Sequence, residues 1–258
     1  MTAVVLHACP LCSAGQMTPF VEVKGYPYSR CATCGFVFLN PMPTQIDLNE
    51  SYQGHKAITA DFYPHSASRR RKALLRALRL ARFILGKRVL DIGCGGGFFV
   101  NAARRLSAEA TGLDVDTQSI AYARRHFPQC NFIQSSFDDF RADQPFDFVH
   151  CSEVIEHLPD PHALMRLLRQ CCRTGSHVFI TTPDLGSPDV PGDISSWPGF
   201  APPAHVGLFN EHNLTRLFEQ HGFQKTRTLR RRKTGMKIVF RYNKHPTLQP
   251  ARTADEAI

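Results

Sequence analysis

With 258 residues, the chain can hold one large domain and a small appendage but not two large cores. Hydrophobic residues make up 43% and charged residues 21%, which excludes wholesale disorder or a fibrous chain, and no apolar run reaches the roughly 18–20 residues that cross a bilayer. The net charge of +9 favours an acidic partner, whether a nucleotide-linked small molecule, RNA or a membrane surface, and charge alone does not choose among them.

The opening MTAVVLHACPLC lacks the basic-then-apolar pattern of a secretory signal, and nine cysteines make no disulfide framework, so reduced thiols and a cytoplasmic setting are expected. Cys9 and Cys12 (CPLC) and Cys31 and Cys34 (CATC) are separated by 18 intervening residues, the C-x2-C, C-x2-C spacing of a tetrahedral four-thiolate zinc site. Gly35 suits the turn after the second pair, and so small a module needs its metal to fold. Zinc fits this spacing better than iron or a redox thiol pair. Cys94, Cys130, Cys151, Cys171 and Cys172 read as small apolar core side chains. Residues 1–45 are therefore expected to form a zinc ribbon of short hairpins. Such a ribbon could bind nucleic acid, hold a protein partner or act as a lid on its neighbour.

Residues 46–86 carry a linker with Tyr52 and Tyr63, then an amphipathic helix expected over 68–85. Its Leu74, Leu75, Leu78, Leu80, Ala81, Ile84 and Leu85 recur at helical spacing between arginines, and Gly86 stops it. Residues 87–245 form the main domain, with strands expected at 88–92, 110–115, 131–134, 146–151 and 176–181 and helices at 97–107, 117–126 and 161–172. Strands alternating with helices make a parallel α/β sheet. The long loop that follows holds the single tryptophan, Trp197, and loops of this length are functional or disordered. A helix over 210–222, capped by Asn210 and stopped by Gly222, leads to strands 223–231 and 236–242, an antiparallel hairpin that closes the sheet. The tail 246–258 has no apolar pattern and is expected to fray. Basic residues crowd 69–82 and 225–237, as solvated faces or as a surface for an acidic partner.

In VLDIGCGGGFF, Asp91 ends a strand and Gly93, Cys94, Gly95, Gly96 and Gly97 form the turn before a helix, where backbone amides can approach an anionic group. A dinucleotide fingerprint would need Gly or Ala where Phe98 stands, which weakens a nicotinamide reading. The D-x-G-x-G-x-G run instead resembles the first motif of class I S-adenosylmethionine (SAM)-dependent methyltransferases. The resemblance spans about 90–225, through FDFVHCSEVIEHLPDP and HVFITTPD to His205, Phe209, Leu214, Leu217, Gly222 and Phe223 around the closing helix. It implies a doubly wound, mostly parallel seven-stranded α/β sheet behind the small N-terminal zinc ribbon. It also implies that Asp91 supports the amino group of SAM, that the loop Gly93, Cys94, Gly95 and Gly97 wraps its methionine part, and that Asp114 takes the ribose hydroxyls. Val115, Ser136 and Phe137 would border the adenine. The ribbon-plus-methyltransferase order is similar to a broad bacterial group acting on small molecules and glycans, and to another that methylates ribosomal RNA.

The expected acceptor is a small molecule, acidic to suit the basic clusters: a sugar, nucleotide-linked or secondary-metabolite substrate with a hydroxyl or other nucleophile. RNA and a catalytically inactive SAM- and zinc-binding scaffold are the alternatives. In SEVIEHL, Glu153, Glu156 and His157 have i, i+3, i+4 spacing, which one helical turn would aim to one side. The plain reading is a helix start favouring glutamates and a histidine in the site wall. In some relatives that methylate vicinal hydroxyls, a cluster of this spacing and a later histidine, here His205, hold a divalent ion. Magnesium or another divalent ion at Glu153, Glu156, His157 and His205 would follow, and without metal His157 could be the general base.

Overall fold

In the computed structural model, the described residues are 3–44, 58–229 and 234–244. Tyr52, residues 230–233 of the second basic run and the tail 246–258 lie outside them.

The N-terminal part is a small antiparallel sheet. Strands β1 (Met17–Val23) and β2 (Tyr26–Cys31) form a hairpin, and β3 (Val37–Leu39) lies beside β2. Lys24 and Gly25 turn the hairpin with φ of 52° and 78°, the positive values of a two-residue turn that matches strand twist. The fourth strand of this sheet, β9 (Gly207–Leu208), comes from far along the chain and pairs antiparallel with β3.

Helix α1 (Ser66–Arg79) and the short α2 (Ala81–Ile84) precede the main sheet. The turn between them falls at Leu80, so the single helix expected over 68–85 is broken. Its orientation also differs from expectation. Ala73, Ala77, Leu80 and Ile84 face inward, whereas Leu75, Leu78 and Leu85 are exposed. Alanines let α1 approach α3 (Phe98–Arg104) closely, in a cluster with Phe98, Phe99, Ala102 and Ala103.

The main sheet comprises β4 (Arg88–Ile92), β5 (Glu109–Asp114), β6 (Asn131–Gln134), β7 (Phe146–Ser152), β8 (Cys172–Pro183), β10 (Phe223–Thr228) and β11 (Gly235–Tyr242). Its order is β10-β11-β8-β7-β4-β5-β6, with parallel pairing from β8 to β6 and antiparallel pairing on both sides of β11. This is the doubly wound seven-stranded arrangement expected, and strand order reverses at β4, where such sheets bind ligands. Side chains alternate across it: Val89, Phe148, Phe179 and Val239 face α1 and α3, while Leu90, Val149, Ile180 and Ile238 face the other core. That other core is shared with the N-terminal sheet, through Tyr28, Phe36, Val37, Phe38 and Leu39.

Helix α4 (Thr117–His126) starts at Asp116, whose side chain accepts the Ser119 amide, and α5 (Pro161–Cys171) starts at Asp160 in the same way. Helix α6 (Glu211–Gln220) starts with a reciprocal pair in which Asn210 and Asn213 each accept the other's backbone N–H. The long loop after β8 is ordered around Trp197, which is 2% exposed and donates its Nε1–H to Thr234 Oγ1.

Candidate active site

The glycine loop leaves β4 at the reversal of strand order. Gly93 and Cys94 donate their amides to Leu113 O of β5, at 2.8 and 3.1 Å, which folds the loop back over the strand ends. Gly95 has φ of 49° and lies under the Tyr63 hydroxyl, where an added Cβ would come within 2.8 Å. Tyr63 thus covers the loop, a contact invisible in sequence beyond the presence of a linker tyrosine. Cys94 is buried beside Gly112, and burial raises its thiol well above the usual range, so it is neutral. Asp114 ends β5 and accepts the Gly95 amide (2.7 Å) and the Asp116 amide (2.9 Å), orienting its carboxylate at the loop rim. Val115 is 66% exposed next to it. Ser136 bonds Asp139 (2.6 Å), and Phe137 is packed partly into the core.

Asp91 is buried, and its Oδ1 lies 2.6 Å from His150 Nδ1 on the adjacent strand. Burial pushes the His150 imidazole below its usual pKa, with the Asp91 charge opposing. The neutral ring donates Nδ1–H to Asp91, and its Nε2 accepts from Arg76 at 3.2 Å. The same Arg76 nitrogen donates to Ser152 Oγ (2.8 Å), Ser152 meets Thr181 Oγ1 (2.7 Å), and Thr181 donates to Glu153 Oε1 (2.7 Å). Two ordered chains therefore run from one guanidinium to two carboxylates. A buried carboxylate is tolerated only when so compensated. Sequence reasoning missed Arg76, His150, Ser152 and Thr181. The available signal was position: Arg76 adjoins Ala77 beside the inward stripe of α1, among arginines that are otherwise exposed.

At the end of β7, the expected helical turn is confined to a 3-10 turn at Ile155–His157. Glu153 stands outside it with φ of 57°, and its side chain is taken by Thr181. The structure brings together Glu156, His157 and His205, with one ligand atom of each lying within 4.8 Å of the others. Glu153 is not in this group. Glu156 is fully buried; Thr182 donates to its Oε2 (2.9 Å), while Oε1 has no hydrogen-bond partner among the described residues. Burial, then the Glu153 charge, pushes its pKa up to about 8. His157 Nδ1 lies 2.8 Å from Ala204 O and His205 Nδ1 lies 2.7 Å from Gly199 O. Carbonyls only accept, so both rings carry the proton on Nδ1 and the lone pair on Nε2, the tautomer of metal-ligating histidines. Burial also lowers the His205 pKa, favouring the neutral ring. Val154 ties this group to the glycine loop: an added Cβ on Gly93 would meet its Cγ2 at 2.4 Å.

Cys9, Cys12, Cys31 and Cys34 form a second group whose sulfurs all lie within 4.8 Å of one another. The Cys9–Cys34 and Cys12–Cys31 distances are 3.7 and 3.6 Å. A tetrahedron with metal–sulfur bonds of about 2.3 Å has edges of roughly 3.8 Å, and these two distances match such edges, so the thiol group suits a zinc ion. Backbone turns Ser13 N to Cys9 O and Gly35 N to Cys31 O, each 2.9 Å, form the two knuckles.

A methyltransferase domain family model matches residues 64–228. The ubiquinone biosynthesis O-methyltransferase of Proteus mirabilis is 37% identical over 105 residues, 38% of this chain and 43% of that protein. The protein of the same name from Vibrio parahaemolyticus serotype O3:K6 is 36% identical over 111 residues, 41% of this chain and 47% of its own. The chain thus matches less than half the length of these curated relatives. Among solved structures, a magnesium protoporphyrin IX methyltransferase from Synechocystis with bound SAH superposes with a TM-score of 0.56 at 14% identity, covering 67% of this chain and 83% of that one. A SAM-dependent methyltransferase from Mesorhizobium loti superposes at 0.55 with 20% identity, covering 66% and 97%. At such identities these likenesses show the fold. With the family match over residues 64–228 and the seven-stranded sheet, the chain belongs to the class I SAM-dependent methyltransferases.

Proposed function

We propose that this protein transfers a methyl group from SAM to an oxygen of a small molecule, with Glu156, His157 and His205 handling the acceptor. SAM supplies an activated sulfonium methyl, so the protein must chiefly align the acceptor and take its proton. Asp114 would receive the ribose hydroxyls and the Gly93–Gly97 turn the methionine part, with Asp91 below it and Val115, Ser136 and Phe137 on the adenine side. The O-methyltransferase relatives support an oxygen acceptor.

The observation that carries this reading is the group of one buried carboxylate and two Nε2 lone pairs beside the glycine loop. Glu156 and the two imidazoles would hold a divalent ion such as magnesium or manganese, which would draw acceptor oxygens to the methyl and lower their pKa. Glu153 would add charge nearby; without an ion, His157 Nε2 would instead take the acceptor proton. The four cysteines would hold one structural zinc, and the setting would be cytoplasmic.

The test measures release of S-adenosylhomocysteine with small vicinal-diol and catechol acceptors. A chelator too mild to remove ribbon zinc should abolish turnover, and added magnesium or manganese should restore it. Undiminished turnover after chelation, with divalent ions absent, would refute the cation. Asp114→Ala should weaken SAM binding by roughly 10- to 150-fold in calorimetry, the equivalent of one charged hydrogen bond. Unchanged affinity would remove Asp114 from the cofactor site.

A further inference from the structure

The N-terminal sheet does not stand apart from the Glu156, His157 and His205 group. It grips the strap of chain, residues 199–209, that supplies His205. The Tyr28 hydroxyl donates to His205 O at 2.8 Å, and Leu39 N donates to Val206 O at 2.9 Å. Val37 pairs with Leu208 and Phe38 with Gly207. The Phe36 ring covers Gly207 so closely that an added Cβ would lie 2.6 Å from it. Tyr28 also meets Phe200 edge to face, with centroids 4.8 Å apart.

The other side of the strap holds the reacting groups. Val206 N donates to Glu156 O (2.8 Å), and His157 and His205 both anchor Nδ1 on strap carbonyls, Ala204 O and Gly199 O. A shift of the strap would thus move His205 directly and release His157 from its tautomer. The cysteines pin the gripping strands: Cys31 closes the strand that carries Tyr28, and Cys34 lies three residues before Val37, with its carbonyl accepting from Asn213 of α6 (3.3 Å).

We propose that the ribbon is a built-in wall of the acceptor site, with Tyr28 and Phe36 as positioning residues that set His205 and His157 through the strap. This rests on the reading of Glu156, His157 and His205 as the acceptor group, and on zinc at the four cysteines. It gives the ribbon a role within the active site and requires no separate macromolecular ligand.

The test uses the full chain with its ribbon zinc and the variant Tyr28→Phe, which keeps the ring against Phe200 and removes only the hydroxyl. Hydrogen exchange should quicken about tenfold across residues 199–209, the loss of one buried hydrogen bond, and remain unchanged in β4 and β5. Nitrogen-15 spectra should show the His205 ring leaving its fixed Nδ1–H form. Zinc content and SAM affinity should match the parent protein, whereas manganese binding, read by electron paramagnetic resonance, should weaken at least fivefold. Stripping the ribbon zinc should produce the same local changes. Unaltered exchange and His205 spectra in both Tyr28→Phe and the zinc-stripped protein would overturn the proposal. If the parent protein binds no manganese, the cation reading fails by itself, and the exchange and tautomer measurements still decide the ribbon's role.

Discussion

At the scale of single residues, Arg76 serves two carboxylates at once. Its guanidinium reaches Asp91 through His150 and Glu153 through Ser152 and Thr181, so the carboxylate proposed for the cofactor and the one proposed beside the acceptor share one cation. Burial lowers the Arg76 pKa, with the Asp91 and Glu153 charges opposing, yet a guanidinium stays charged under all ordinary conditions. Arg76→Met should destabilise the fold by about 1.5–3 kcal/mol, the range for hydrogen bonds to charged groups, as read by urea unfolding. Arg76→Lys should recover only part of this, because the shorter lysine side chain sets its ammonium back from the position of Arg76 Nη1, which donates to both His150 and Ser152. Loss of less than about 0.5 kcal/mol in Arg76→Met would show that the chains carry no stability. The sequence singled out the glycine loop and the cysteine pairs by spacing and Asp114 by resemblance, and the structure sets Asp114 against the loop and brings the four sulfurs together. Arg76 and His150 were not singled out, because a partner on another strand or helix leaves no local pattern. Glu153 illustrates the opposite error, since i, i+3 spacing implies a shared face only where the backbone is helical, and it is not helical there.

Among the secondary-structure elements, the parallel strands and α4 were legible because alternating and 3.6-residue patterns coincide with short turns. Helix α1 was read correctly as a helix but wrongly as to its buried face. Leucines are the more hydrophobic side chains there, and hydrophobicity alone favours burying them, but close approach to α3 selects the small alanines. The basic run on this helix was expected to be solvated or to face an acidic partner; Arg76 instead points inward. Helix α6 shows a start signal that worked. Asn210 and Asn213 exchange hydrogen bonds at 2.9 and 3.0 Å, and Asn213 also reaches Cys34 O. Asn210→Ala should lower stability by about 1 kcal/mol in thermal unfolding, as for other lost N-caps. A neutral result would mean that the ribbon contact of Asn213, not the cap, holds this helix start.

For the molecule as a whole, the ribbon and the large sheet share one apolar core, and a histidine pair bridges them. His162 Nε2–H donates to Leu11 O (3.2 Å), and its Nδ1 lies 3.0 Å from His221 Nε2, which donates to it. Burial first, then His162, Arg169 and Arg166, lower the His221 pKa from 6.5 to about 4, with Asp160 opposing. A depressed folded-state pKa means that the unfolded chain binds protons more readily. The pair therefore contributes its full stability above pH 6.5 and loses it as pH falls toward 4. Melting temperatures should decline over that window, and His221→Gln should flatten the decline; an equal slope in the variant would assign the acid sensitivity elsewhere. The joining of β3 to β9 has a further consequence, for synthesis. As the chain leaves the ribosome, Val37–Leu39 is finished long before Gly207–Leu208 exists, so the nascent ribbon must wait with one sheet edge unpaired. Cysteine-bound zinc could order the hairpin early, but the edge closes only after the five parallel strands of the main sheet have been made, so the ribbon is completed late, with α6, β10 and β11 still to follow.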